Sequence, residues 1–353
     1  MSDAAAGQRM ISEIREQPVA LARMLEAEGE RVWALAERWR ENPPRYLSFA
    51  ARGTSDHAAI YAKYLFETTT GIPVMLAAPS INSIYQAPLK VDGGLFVGIS
   101  QSGEAADVIA VLEHARKGGA DTLALTNVPD SPLVGAAEFA VGLHANREYA
   151  VAATKTFTNT LGALLLLASA IAGSKTLLEY LQRLPALISQ VLASEDSIRR
   201  CVERFRYLEE CVVLGRGYNL SIALELALKL RETSYIRAQP FASPDFLHGP
   251  IAVIERGYPV IAIANQGAAL KTVLEVMEET QRRGAEVVAI GNAPEALDMA
   301  TIAIPTNPEE EVPEVISPFP SIVAGQILAQ AVAVIKGNDP DSPRGLHKVT
   351  VTH

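Results

Sequence analysis

Two stretches of this chain follow one plan. An apolar run, Phe96-Val97-Gly98-Ile99, leads into Ser100-Gln101-Ser102-Gly103-Glu104 and then into a helical stretch ending at Arg116-Lys117-Gly118-Gly119-Ala120. In the second half Ile261-Ala262-Ile263-Ala264 leads into Asn265-Gln266-Gly267-Ala268, and a helical stretch follows to Arg282-Arg283-Gly284-Ala285; the two copies align without a gap. Each then enters a second apolar strand closed by Asn127 or Asn292. Self-similarity on this scale means one α/β unit used twice. Only the first copy keeps two hydroxyls and an acid in its turn, which suits that half to holding an anion and leaves the other half for different work.

A length of 353 residues, 49% of them hydrophobic and 20% charged, allows two ordinary cores. The formal charge is −9 and no block of consecutive basic residues occurs, which argues against nucleic acid or an anionic membrane as the main partner. Any phosphate must therefore be held by local groups. Residues Met1 to Arg15 are polar and mixed in charge, so no export signal is expected and cytoplasm is the default location. Cys201 and Cys211 form neither a CxxC pair nor a Cys/His cluster, which excludes a disulfide framework and a zinc site and makes both buried apolar residues. The greasiest run, Leu161 to Ala172, reads as a buried helix too short to span a bilayer.

Apolar spacing and breakers divide the chain into a helical lead-in (1–44), a first α/β domain (45–195), a second (196–336) and a terminal segment (337–353). In the first domain, strands are expected at Tyr46–Ala50, Pro73–Ala77, Leu95–Ile99, Thr122–Leu125 and Phe139–Leu143, with helices between them and a last helix at Thr154–Ala172. In the second they are expected at Cys211–Leu214, Pro259–Ala264, Val287–Ile290 and Thr301–Ile304, with a last helix at Ser321–Ile335. Such alternation implies parallel sheets covered by helices. The terminal segment turns apolar at Val349 and Val351, which favours packing over fraying.

Ligands of open α/β sheets sit beyond the carboxyl ends of strands, where backbone N–H groups favour an anion. Thr54 and Ser55 follow one such strand, and Ser100, Gln101 and Ser102 follow another. Hydroxyls, an amide and main-chain donors could converge there on a phosphate, or the same residues could simply cap helices. Lys229 and Glu232 stand three apart on one helix face, which is also the spacing of an ordinary surface ion pair. His248, in Leu247-His248-Gly249-Pro250, is either a general acid/base or a hydrogen-bonded loop residue. Lys348 alone is a solvated lysine.

Taken together, these residues carry a resemblance. The runs Arg52-Gly53-Thr54-Ser55, Ile99-Ser100-Gln101-Ser102-Gly103-Glu104, Ala152-Ala153-Thr154-Lys155-Thr156-Phe157-Thr158, Ala223 to Glu232, Leu247-His248-Gly249-Pro250 and His347-Lys348-Val349-Thr350-Val351 resemble, in order and spacing, the isomerase half of glucosamine-6-phosphate synthase. That half is two tandem sugar isomerase (SIS) domains. The resemblance implies an α/β fold with a parallel five-stranded, flavodoxin-like sheet in each domain, sandwiched between helices. It also implies that Thr54, Ser55, Ser100, Gln101 and Ser102, with Lys229, bind a hexose 6-phosphate. Glu232 would move the proton between C1 and C2, His248 would assist ring opening, and Lys348 would form an imine with the keto sugar. It implies no metal or other cofactor, and a homodimer in which the histidine loop of one subunit reaches its neighbour's site.

Three departures bear on the activity. The synthases carry a glutaminase domain whose cysteine follows the initiator Met, whereas this chain begins Met1-Ser2, so release of ammonia from glutamine is not expected. Ala105 replaces a threonine of the phosphate loop, and Ala153 replaces a serine near the sugar. The expected activity is therefore a deaminase converting glucosamine 6-phosphate and water to fructose 6-phosphate and ammonia. The alternatives are a fructosamine-6-phosphate deglycase, synthesis of the amino sugar from ammonia, and a non-catalytic sugar-phosphate sensor.

Overall fold

In a computed structural model of the chain, residues 6–346 and Lys348 are described. They divide into two compact units. One holds Val19–Glu148 and Lys155–Arg183 with Lys348; the other holds residues 6–18, Tyr149–Thr154 and Leu184–Leu346. The expected packing of the tail through Val349 and Val351 falls outside the described residues.

The first unit is built on strands β1 (Tyr46–Ala50), β2 (Val74–Leu76), β3 (Gly94–Ile99), β4 (Asp121–Thr126) and β5 (Phe139–Gly142), all parallel, in the order β2-β1-β3-β4-β5. Every residue of central β3 is buried, because helices cover both faces and leave no solvent side for an alternating pattern. On one face Phe96 and Ala124 pack against Val108, Val111 and Leu112 of the helix Ala106–Lys117. Each large side chain buried in this way contributes about 1.5–3 kcal/mol. The chain leaves β1 for the β2 edge and returns to β3 on the other side, so the crevice above β1 and β3 is the topological switch point of the sheet.

The second unit repeats this with β6 (Glu210–Gly215), β7 (Arg237–Ala242), β8 (Pro259–Ile263), β9 (Glu286–Gly291) and β10 (Ile302–Pro305), in the order β10-β9-β8-β6-β7. Its switch point lies above β6 and β8. Strand β7 is the one strand that apolar patterning misses. Its sequence, Arg-Ala-Gln-Pro-Phe-Ala, is polar and interrupted by Pro240, but among the described residues β7 is an edge strand paired only with β6, where exposed Arg237 and Gln239 and a missing N–H are tolerated.

The structure also corrects the gapless alignment of the two copies. The helix after β3 has 12 residues and its counterpart, Leu270–Arg282, has 13. The amide of Ser100 donates to Leu125 O and that of Ala264 donates to Ile290 O, so Ser100 corresponds to Ala264 and Gly103 to Gly267. The extra residue is absorbed inside the second helix.

The apolar run Leu161–Ala172 is part of the longer helix Lys155–Ala172, and this helix and the segment Glu314–Ile335 are each long and apolar enough to cross a membrane by length and composition. Their most apolar windows are 94% and 89% buried inside the protein, as expected of core helices.

Candidate functional site

Two turns rise from β1 and β3, neighbouring strands about 4.8 Å apart. The first places Thr54 and Ser55, both half-buried, in the opening turn of the helix Thr54–Thr70. Arg52 in this turn donates through Nε to Asp107 Oδ2 at 2.6 Å, and Asp107 is almost fully buried at the start of the helix that follows the second turn. This ion pair ties the two turns together. It is a positioning contact that sequence reasoning missed, although an acid in the first turn of a helix is a recognisable signal.

In the second turn Ser100 is buried, Gln101 and Ser102 are half-buried, and Gly103 takes a φ of +68°. A Cβ on Gly103 would lie 2.1 Å from Ser131 Oγ, so conformation and space both require glycine there. The Gly103 amide donates to Ser100 Oγ at 3.1 Å, and the Glu104 amide makes a long 3.3 Å contact with Ser102 Oγ. Among the described residues no acceptor meets the amides of Gln101, Ser102 or Ala105. Ala105 is the N-cap of the next helix and has no side chain to satisfy that helix's first amides. Asn127 could have closed the turn, but its Oδ1 accepts from the Ala145 amide instead, at 2.9 Å. Amides and hydroxyls at the head of a helix on a switch point make a receptor for a phosphate monoester without a lysine.

The same unit holds Lys348. Its ammonium lies 2.8 Å from Oε2 of Glu148, whose side chain is fully buried. Thr156 donates to both oxygens of Glu148, from its amide at 3.2 Å and from its hydroxyl at 2.6 Å, so the carboxylate sits at the head of the helix Lys155–Ala172. Glu148 is a second residue that sequence reasoning passed over, although it stands just ahead of the Ala152-to-Thr158 run. A lysine beside a buried carboxylate has an acceptor for the proton it must lose before attacking a carbonyl.

The second unit carries Lys229, Glu232 and His248. On the helix Leu220–Ser234, spacings of four and three put Glu225, Lys229 and Glu232 on one face. Lys229 is 1% exposed and lies 3.2 Å from Glu225 Oε1 and 2.6 Å from Glu232 Oε2. Burial opposes its charge, but the two carboxylates outweigh that and hold the ammonium above the ordinary lysine range. The pair is therefore not the surface ion pair that spacing alone favours. The Lys229 ammonium, expected to help bind the phosphate, is engaged by the two carboxylates here. Glu232, with a quarter of its side chain exposed, is held by one oxygen. His248 is exposed and follows the short helix Ser243–Leu247, with its amide donating to Asp245 O at 3.2 Å.

Among the described residues no group of three His, Cys, Asp or Glu side chains could hold a metal ion. A groove of about 990 Å³ in the first unit, beside Trp33, shares no residue with either turn.

Comparison with known proteins agrees with this architecture. The SIS domain model matches residues 44–170 and again residues 209–335. A glutamine–fructose-6-phosphate aminotransferase (isomerizing) from Thermococcus kodakarensis is 35% identical over 97% of this chain, and the chain spans 58% of that protein's length. The crystallised C-terminal domain of glucosamine-fructose-6-phosphate aminotransferase from Francisella tularensis superposes with a TM-score of 0.86 at 30% identity, covering 97% of this chain and all of that one. A glucosamine-6-phosphate deaminase from Thermotoga maritima superposes with a TM-score of 0.77 at 23% identity, over 98% of this chain and all of that one, a likeness of fold alone. Two matched domains, each with the same five-stranded parallel sheet, place this chain in the SIS domain family.

Proposed function

We propose that the chain is a phosphosugar isomerase acting on a hexosamine 6-phosphate, and that with water as co-reactant it converts glucosamine 6-phosphate to fructose 6-phosphate and ammonia. The observation that carries the reading is the turn after β3, where the Ser100 and Ser102 hydroxyls stand beside the amides of Gln101, Ser102 and Ala105, which no described protein group accepts from. Thr54, Ser55 and Gln101 complete the receptor for the 6-phosphate.

In this reading His248 moves the proton between the ring oxygen and the C1 hydroxyl as the pyranose opens. Glu232, held in place by Lys229, removes the proton from C2 of the open-chain aldehyde and returns it to C1, leaving an imine at C2. Lys348, after losing a proton to Glu148, attacks C2, ammonia departs, and water then releases fructose 6-phosphate and the free lysine. His248 serves this chemistry in a homodimer, through the loop of one subunit reaching its neighbour's site, and the enzyme works in the cytoplasm. The aminotransferase relatives favour a second reading, the same steps run toward the amino sugar with ammonia supplied.

The test is to incubate purified protein with glucosamine 6-phosphate and follow both products. Fructose 6-phosphate and ammonia in equal amounts are expected. Product from fructose 6-phosphate plus ammonia alone supports the synthetic direction, and cleavage of fructosamine 6-phosphate alone makes it a deglycase. Tight binding with no turnover of any of these makes the chain a sensor and ends the proposal.

A further inference from the structure

The second copy of the β-turn-helix unit follows the same strand-turn-helix order as the first, but its amides meet a different fate. Gln266, the counterpart of Ser102, donates its amide to Asn292 Oδ1 at 2.8 Å. Asn292 corresponds to Asn127, which in the first copy turns away to Ala145. The Ala268 amide donates to Glu314 Oε2 at 2.7 Å, and the Ala269 amide faces Glu314 Oε1 at 3.3 Å. A Cβ on Gly267 would lie 2.3 Å from Glu314 Oε2, so glycine here, at φ +145°, makes the space the carboxylate fills. Behind it, buried Asn265 donates to Asn219 Oδ1 and Ser321 Oγ, and Asn219 donates to Ser317 Oγ, so these polar side chains are satisfied by one another. The hydroxyl of Ser100 has no counterpart, since Ala264 stands in its place.

We infer that the switch point of the second unit is an anion site whose ligand is the chain's own Glu314 carboxylate, so each chain takes one phosphosugar rather than two. The two repeats differ in where the acid ahead of the core helix goes. Glu148 turns back to the head of its own helix, through Thr156, and leaves the β3 turn open. Glu314 crosses to the β8 turn and places two oxygens where a phosphate would place its own. A carboxylate and a phosphate oxygen make the same demand on a pair of helix-start amides, so removing the one should admit the other.

The inference rests on reading the Ser100 turn as the phosphate receptor, and two measurements separate the two claims. In the first, hydrogen exchange of the unaltered protein is followed with and without fructose 6-phosphate. The Ala268 and Ala269 amides are expected to exchange at least about tenfold more slowly than those of Ser102 and Ala105 before ligand is added, and ligand should slow only the Ser102–Ala105 set. Protection of residues 266–269 that appears only with ligand would overturn the role of Glu314. Failure of the Ser102–Ala105 set to respond would overturn the phosphate receptor while leaving Glu314 in place. In the second measurement, calorimetric titration with fructose 6-phosphate should count one site in the unaltered chain and in Glu314→Gln, whose amide oxygen still fills the turn. It should count two in Glu314→Ala, and one again when Ser100→Ala and Ser102→Ala are added. A single site in folded Glu314→Ala contradicts the inference.

Discussion

The buried Lys229 is the most demanding electrostatic feature of the chain, and replacing it tests the reasoning sharply. Lys229→Met keeps a long apolar stem and removes the ammonium that pairs Glu225, which is fully buried, with Glu232, which is partly exposed. Taking one partner from a buried ion pair costs about 3–5 kcal/mol. A second route gives a similar figure. A buried carboxylate deprived of that ammonium favours taking up a proton on folding, at up to about 1.4 kcal/mol for each pH unit above an unfolded pKa of about 4.3, or up to about 3.7 kcal/mol at pH 7. The sign follows: in the variant the folded state binds the proton more tightly than the unfolded state. Its deficit against the parent protein is therefore small near pH 4.3 and grows as pH rises. Urea unfolding of both proteins at pH 5 and pH 7.5 should show the gap widening by about 1–3 kcal/mol. A gap below about 1 kcal/mol, or one equal at the two pH values, would refute the argument. Because Lys229 also holds Glu232, kcat should fall about 10–100-fold while KM stays nearly constant, as expected of a positioning residue.

Ser100→Ala and Ser102→Ala should each weaken fructose 6-phosphate binding about 10–100-fold, the worth of one hydrogen bond to a charged group, and calorimetry that shows no change would remove the hydroxyls from the receptor. Asp107→Asn, which loosens Arg52 from the second turn, should change stability by less than about 1 kcal/mol because Arg52 is half exposed, yet raise KM; an unchanged KM would leave the ion pair without a positioning role. Burial pushes the Cys211 thiol up to about 12, with Glu210 adding to the shift, whereas Cys201 is only partly buried. A thiol reagent at pH 8 should therefore label Cys201 in the native protein and Cys211 only after unfolding, and equal native rates would contradict that burial.

The repeat and the parallel sheets were legible because buried central strands must be continuously apolar, as Gly94–Ile99 and Pro259–Ile263 are. Strand β7 was not, because an edge position accepts Pro240 and charged residues that patterning reads as loop. The one-residue shift between the copies was hidden for a similar reason: a helix absorbs an added residue without changing its apolar character. The polar turns were visible as candidates, since hydroxyls cluster at strand ends. Their environment was not, because whether an amide is satisfied depends on residues far away in sequence. Asn127 and Asn292 are the same residue type at the same place in the repeat, and only the fold shows that one turns to Ala145 and the other to Gln266. Glu148 and Arg52 escaped notice for that reason too, since each acts through a partner distant in the chain.

The central claim is that a carboxylate on the helix Leu220–Ser234 moves a proton between adjacent sugar carbons while the Ser100 turn grips the phosphate. Exchange of carbon-bound hydrogen in fructose 6-phosphate, followed by NMR in heavy water, tests it most directly. The parent protein should wash deuterium into C1, and Glu232→Gln should abolish that exchange while binding the sugar phosphate as tightly as before. Exchange at the parent rate in the variant, or none in the parent protein, would contradict the account.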